Sequence, residues 1–264
     1  MKEMSDLSKE VILKTVGLTK HYGGVRALED ANFSISSNEH IAIVGDNGAG
    51  KSTFVRSITG VERPTSGKIF FDGKEVNFRS PTDARESGIE TVYQNLALAD
   101  DLDVTSNIFL GREIEYFKLG PLSWLNKSAM KKKSSELLAQ TGIKIGNLNQ
   151  AVASMSGGQR QCVAISRAAG WGSKLIVMDE PTAALGIQET KKVEEIIKNL
   201  KERDIPVIII SHNLRQVFDL VDKIAVFRQG RIIDIVKTNE VSGNDVVALI
   251  TGLDKKNRAV GEYI

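Results

Sequence analysis

Ile41-Ala42-Ile43-Val44-Gly45-Asp46-Asn47-Gly48-Ala49-Gly50-Lys51-Ser52-Thr53 is the stretch on which the reading turns. A short apolar run predicts a buried strand. Two spaced glycines then lead into Lys-Ser-Thr, and Phe54, Val55 and Ile58 fall on one face of a helix predicted over Lys51–Thr59, with Gly60 placed to end it. Strand, glycine-rich loop and helix in that order match the phosphate-binding loop. Small residues let successive backbone N–H groups converge on an anion, and the helix N-terminus adds favourable partial charge. Lys51 supplies a cation for the outer phosphates of a nucleotide, and the Ser52 hydroxyl can ligate Mg²⁺. Residues Gly45, Asp46, Asn47, Gly48, Ala49, Gly50, Lys51, Ser52 and Thr53 are thus the expected nucleotide-binding segment.

Outward from this loop the texture divides. Val11–Thr15, Ala31–Ile35 and His40–Val44 read as strands, and Lys68–Phe71 and Glu75–Phe78 flank the Asp72-Gly73 turn of a predicted hairpin. From about Asn95 to Ala169 strand-like runs give way to a stretch read as mostly helical, with Met130, Leu137 and Leu138 set among lysines and serines. Strand texture returns at Lys174–Met178 and at Pro206–Ile210 and Lys223–Phe227. Between them Val193, Ile196, Ile197 and Leu200 recur at helical spacing. Strand, helix and strand in succession predict a parallel sheet with helices packed on it. The Lys131–Lys133 run reads as a solvated helix face.

A second chemical signal is Leu175-Ile176-Val177-Met178-Asp179-Glu180, an apolar strand ending in two carboxylates. At the carboxyl edge of a sheet these would stand beside the phosphate loop. Asp179 is the candidate metal ligand, and Glu180 the candidate base for an attacking water.

The third signal is Met155-Ser156-Gly157-Gly158-Gln159-Arg160-Gln161, a second glycine-rich anion site at a helix start. Here the chain resembles the ATP-binding cassettes of ABC transporters, whose signature has Leu where this chain has Met155. The resemblance covers nearly the whole chain. It implies an α/β P-loop NTPase fold with a mixed sheet core, an N-terminal antiparallel β subdomain and a helical subdomain over about 95–169, all within one domain spanning 1–264. It further implies ATP hydrolysis with Mg²⁺ and a head-to-tail dimer, in which Ser156, Gly157, Gly158 and Gln159 contact the nucleotide of the other copy. By the same resemblance Tyr22 matches the aromatic that stacks on adenine, and Gln94 the glutamine that senses metal and water. His212 matches the histidine at the γ-phosphate, so Glu180, His212, Lys51 and Gln94 are the expected catalytic set, and Ser52, Gln94 and Asp179 the expected metal set. His21 and His40 have no such context and are read as structural or solvent-facing. Gly186 departs from the family, which places aspartate there. Either a helix cap and a cross-interface carboxylate are lost, or the glycine serves a positive φ.

Tyr93–Leu98, Asn107–Glu113, Ala183–Gly186 and Ser211–Asn213 resemble the ATPases of bacterial ribose-, xylose- and fructose-type importers, in a stand-alone rather than tandem form. That likeness implies transmembrane permease partners, an indirect link to a sugar-binding protein, and a place on the cytoplasmic face of the membrane. Cassette ATPases serving another solute, cofactor assembly or DNA maintenance are the alternatives.

Composition sets outer bounds. The 264 residues carry 35 basic and 33 acidic side chains, a balance that offers no electrostatic case for nucleic acid as a partner. A single cysteine, Cys162, rules out an intrachain disulfide. Met1–Glu10 has no apolar signal core, and no apolar run approaches the ~20 residues of a membrane span, so the chain is expected to be soluble by itself.

Overall fold

The computed structural model describes residues 10–119, 122–142, 145–171 and 173–253. The polar Met1–Lys9 segment read above therefore lies outside the described residues. Six strands form the central sheet: β3 (His40–Val44), β6 (Ile89–Val92), β9 (Leu175–Asp179), β10 (Val207–Ile210), β11 (Lys223–Arg228) and β12 (Arg231–Lys237). Their order is β12-β11-β3-β10-β9-β6, with every neighbouring pair parallel except β11 and β12. Four more strands make an antiparallel sheet in the order β2-β1-β4-β5: β1 (Val11–Tyr22), β2 (Val25–Ser36), β4 (Ser66–Phe71) and β5 (Lys74–Val76). Asp72 and Gly73 both take positive φ at the β4–β5 turn, as the Asp-Gly signal predicts.

Near-continuous apolar runs are what a parallel sheet covered on both faces requires. Alternate residues of the central strands serve opposite faces. Ile41, Ile43, Val177, Ile208 and Phe227 pack with Phe33, Leu28 and helix α1 (Lys51–Ile58). Ala42, Val44, Met178, Ile209 and Val226 pack on the other side with α5 (Gly157–Ala169), α6 (Ile187–Glu202), α7 (Leu214–Leu220) and α8 (Gly243–Thr251). Val193, Ile196, Ile197 and Leu200 are the buried stripe of α6, as their spacing predicts. Helix α2 (Pro81–Ser87) leads into β6, capped by the Ser80 side chain.

A separate apolar cluster holds the helical region together. Val104, Ile108 and Phe109 of α3 (Val104–Phe109) pack with Met130, Leu137 and Leu138 of α4 (Lys127–Gln140), and with Met155 and Val163. Met155 is buried, so the side chain replacing the family's leucine fills a core position. The expectation that strands vanish over 95–169 needs correction. Glu115–Leu119 (β7) and Leu122–Leu125 (β8) form an antiparallel hairpin between α3 and α4. Tyr116, Phe117 and Trp124 are good strand formers, and a two-stranded ribbon lacks the longer alternation by which a strand is recognised.

His40 resolves to its structural reading. It is fully buried, its Nδ1 3.3 Å from the Leu220 carbonyl oxygen and its Nε2 3.3 Å from that of Ile205. Burial holds its pKa below the usual histidine value. Lys131, Lys132 and Lys133 are exposed, in keeping with a solvated face.

Phe54 is the pivot of the layer beneath the loop. Its ring lies 5.2 Å from Phe33 of the antiparallel sheet and 5.4 Å from Phe227 of the central sheet. Phe54→Ala should therefore cost about 3–5 kcal/mol of unfolding free energy, measured by urea denaturation. A loss below about 1 kcal/mol would show that the two sheets close without it.

Candidate functional site

The phosphate loop is held open by backbone geometry. Gly45 has φ +148, and a Cβ there would lie 2.2 Å from the Phe227 carbonyl oxygen. Gly50 caps α1 at φ +100, and its added Cβ would meet the Ala27 oxygen at 2.7 Å. Neither position admits a side chain. Gly230 N–H donates to the Ala49 carbonyl at 3.0 Å, and Glu29 N–H to the Gly230 carbonyl at 2.7 Å, so both sheets clamp the loop. No side chain caps α1 and no acidic residue enters its first turn. Its leading N–H groups therefore meet neither a capping side chain nor a first-turn carboxylate, the arrangement an anion site needs.

Lys51 Nζ donates to the Gly45 and Asp46 carbonyls at 2.7 and 2.9 Å, which keeps the ammonium over the loop. Partial burial lowers its pKa, against the opposing charges of Glu180, Asp46 and Asp179. At the end of β9 the Asp179 carboxyl is shifted up, first by burial and then by the neighbouring Glu180 charge, with Lys51 and Arg56 opposing. Two carboxylates facing one lysine form a site that a cation relieves.

Glu180 occupies left-handed backbone space at φ +50, held by its N–H bond to the Ile210 carbonyl at 2.9 Å. That conformation is rare for a side chain of this size and costs on the order of 1–2 kcal/mol. It turns the carboxylate toward His212, which follows β10; His212 Nδ1 lies 2.7 Å from Glu180 Oε1. Thr182 Oγ1 donates to Gln216 Oε1 at 2.7 Å, tying the loop after Glu180 to α7. Lys51, Asp179, Glu180 and His212 are thus brought to one edge of the sheet.

The remaining sequence-predicted residues stand apart. No hydrogen bond or ion pair among the described residues joins Tyr22, Gln94 or Ser156–Gln159 to that group. Tyr22 is exposed, its hydroxyl bonded to Glu62 and its ring under Lys20 Nζ at 5.1 Å. Gln94 is exposed in the turn after β6. Ser156 caps α5 in a reciprocal box with Gln159, with bonds of 3.3 and 3.0 Å, which leaves the Gly157 and Gly158 N–H groups at the helix start.

Three residues in these sites went unread in the sequence. Glu62 bonds Tyr22. Arg167 donates to the Ala97 and Leu96 carbonyls at 2.9 and 3.1 Å, fixing two left-handed residues just after Gln94. Glu189 packs where a Gly158 Cβ would lie, 2.2 Å from its Cγ. Each is an ordinary charged residue far in sequence from its partner; only the arginine eleven positions after Ser156, on the same helix, offered a signal.

Gly186 settles the alternative of a positive φ against it. The residue is the N-cap of α6 at φ −69 and ψ 168, backbone angles that any residue adopts, and Ala184 of this loop is left-handed at φ +60.

A central sheet with a phosphate loop, a strand-end carboxylate pair, and a capped glycine-rich helix start define an ATP-binding and ATP-hydrolysing cassette. The chain belongs to the ABC transporter family, whose model matches residues 28–183. It is 45% identical to the fructose import ATP-binding protein FrcA of Rhizobium meliloti, over 96% of this chain and 98% of that protein. It is 42% identical to the xylose/arabinose import ATP-binding protein XylG of Sulfolobus acidocaldarius, over 98% of this chain and 99% of the relative. Among solved structures it is similar to the ATP-binding cassette MJ0796 in a dimeric post-hydrolysis state bound to ADP and Pi. That match has a TM-score of 0.72 and 25% identity, covering 86% of this chain and 99% of that one.

Two glycines separate in their expected behaviour. Gly158→Ala drives a Cβ into the Glu189 stem and should cost about 1–3 kcal/mol. Gly186→Asp meets only the mobile Glu189 carboxylate end, 2.6 Å from the added Cβ, and should change stability by a few tenths of a kcal/mol. Parallel thermal melts check both; a large loss at Gly186 would mean that its loop is more constrained than its dihedrals imply.

Proposed function

We propose that this chain is the ATP-hydrolysing subunit of an importer for a monosaccharide, working as a head-to-tail pair beneath a membrane permease. The observation that carries the ATPase chemistry is the Glu180–His212 contact at the sheet edge, opposite Lys51. The sugar rests on the relatives: fructose and xylose/arabinose import proteins, similar along nearly their whole length.

The β- and γ-phosphates bind the Gly45–Thr53 amides, and Lys51 exchanges its two carbonyl bonds for phosphate oxygens. Tyr22, with 43% of its surface exposed, offers its ring to adenine. Asp179, Ser52 and Gln94 are hard oxygen donors suited to Mg²⁺. Two or three protein oxygens together with phosphate oxygens are the fitting donor set for that ion. Bound there, Mg²⁺ would neutralise charge on the transferring phosphoryl group. Glu180 accepts a proton from water as the water oxygen attacks the γ-phosphorus, and ADP leaves. His212 keeps the carboxylate oriented and contacts the γ-phosphate. The Ser156–Gln159 helix start supplies N–H donors to the nucleotide on the second copy, and the described residues act as one ATP-binding unit with 95–169 as its helical part.

A groove of about 430 Å³ beside Gln94 is lined by Arg85, Tyr93, Leu110, Arg112, Arg167 and Trp171. It is the place for a short permease helix, which would hold the chain at the cytoplasmic face of the membrane. No helix among the described residues is long and apolar enough to cross a bilayer. A sugar-binding protein would act on the other side, without touching this chain.

Glu180→Gln keeps the shape and removes the base, so steady-state phosphate release should fall by roughly 10²–10⁴-fold, with an ATP-dependent dimer accumulating on size exclusion. Near-normal turnover without that dimer would remove Glu180 from the chemistry. Tyr22→Ala should raise the Michaelis constant for ATP while leaving saturated turnover nearly intact, since stacking on adenine is equal in ground and transition states. An unchanged constant would end the adenine assignment. Reconstitution with a permease and binding protein, scored by stimulation across a panel of monosaccharides and amino acids, tests the solute class.

A further inference from the structure

The β7–β8 hairpin is an exposed apolar feature that the ATPase chemistry does not use. Tyr116, Phe117, Trp124 and Leu125 are 65, 57, 64 and 40% exposed. Phe117 and Trp124 face one another across the ladder with rings 6.2 Å apart, so they support each other rather than a core. The hairpin forms its own two-stranded sheet, fixed at its base by the Asn126 N–H bond to the Ile114 carbonyl at 2.7 Å. A lone ribbon of this kind is marginal in water unless another surface takes its apolar side.

Charge identifies that surface. From Glu115, the first residue of β7, to Ser135 the sequence holds five lysines, at 118, 127, 131, 132 and 133, against one acidic residue, Glu115. The whole chain carries only +2, so the remaining residues are on balance acidic and this segment is its basic pole. Lys127, Lys131, Lys132 and Lys133 are exposed in the first two turns of α4, and Lys127 stands in the first turn, where the helix dipole disfavours a cation. Among the described residues only Lys133 of the four forms an ion pair, with Glu136 at 3.7 Å. Four exposed lysines in the two turns of helix that follow a hairpin with exposed Trp, Tyr and Phe make the combination that binds a lipid interface: aromatics at the headgroup level and cations on anionic phosphates.

We propose that the β7–β8 hairpin and the N-terminal half of α4 form a contact surface for anionic membrane lipid, independent of any permease. The aromatic rings seat in the headgroup layer, and Lys127 and Lys131–Lys133 engage lipid phosphates. The helical part of the cassette then has its own hold on the bilayer, beside the groove wall formed by Leu110 and Arg112.

The test uses the purified chain and vesicles without permease, so it stands apart from the sugar and the permease readings. Vesicles of phosphatidylcholine alone and with roughly 30% phosphatidylglycerol are mixed with the chain and floated, and tryptophan emission is recorded. The chain should float only with anionic vesicles, with emission shifted to the blue, and should be released at roughly 0.5 M salt. Of the two tryptophans, Trp124→Phe should abolish the shift and Trp171→Phe should keep it. Phe117→Ser with Trp124→Ser should lose flotation while retaining ATP turnover and melting temperature. Should that pair unfold, the Lys→Gln series at 127, 131, 132 and 133 leaves the hairpin intact and should lower partitioning roughly fivefold per lysine. The proposal is overturned by absence of flotation at low salt, or by flotation of the lysine variants equal to the parent chain. Tighter binding of a short single-stranded oligonucleotide than of anionic vesicles, through the same lysines, would overturn it as well.

Discussion

Everything near the nucleotide loop depends on one steric constraint: backbone must pass backbone with no Cβ between. Gly45 lies against the Phe227 carbonyl and Gly50 against that of Ala27, one from the central sheet and one from the antiparallel sheet. The loop is thus the seam at which two sheets meet, closed by the Gly230–Ala49 and Glu29–Gly230 bonds and by the Arg231–Glu29 pair at 2.8 Å. The amides that face an anion are fixed before any anion arrives, which is what preorganisation requires. Phe54, one turn into α1, extends the same seam into the core.

This seam also explains which parts were legible. The motif Gly45–Ser52, the carboxylates after β9 and the Ser156–Gln159 cap each depend on local backbone geometry, and local geometry leaves residue types at fixed spacing. The α6 stripe was readable for the same reason, because one helix face is buried along its length. The β7–β8 hairpin was not. Glu115, Tyr116, Phe117, Trp124 and Leu125 are all exposed, so no alternation of buried and exposed positions runs through them. Contacts such as Arg167 with Leu96 and Ala97 join residues some seventy positions apart, and no local pattern records such a pairing. Gly186 shows the opposite error: a glycine invites a positive φ, yet here the backbone is extended, and the left-handed burden of that loop falls on Glu180 and Ala184.

The three apolar clusters divide mechanical labour. The two that flank the central sheet bind the loop, β9 and β10 into one unit, so Lys51, Asp179, Glu180 and His212 share a rigid frame. The third lies in the helical region and shares only Leu98 with the second, at the margin of each. Arg167 bridges that margin, on the same helix that Ser156 caps. That helix also packs on the central sheet through Cys162, Ala164, Ile165, Ala168 and Ala169, so it ties the turn after Gln94 to the sheet face.

Glu180 has an implication for stability as well as for the geometry of the site. A left-handed site is most comfortable for Gly, Asn or Asp, and a position shaped by folding stability alone would drift toward them. A glutamate there carries backbone strain that those residues would largely avoid. Stability-guided redesign of this chain would target position 180 early, because its strain is easily relieved by substitution. A Gly or Asn there would lack the carboxylate that faces His212. In this molecule, relief of backbone strain and the carboxylate beside His212 are set against each other at a single backbone angle.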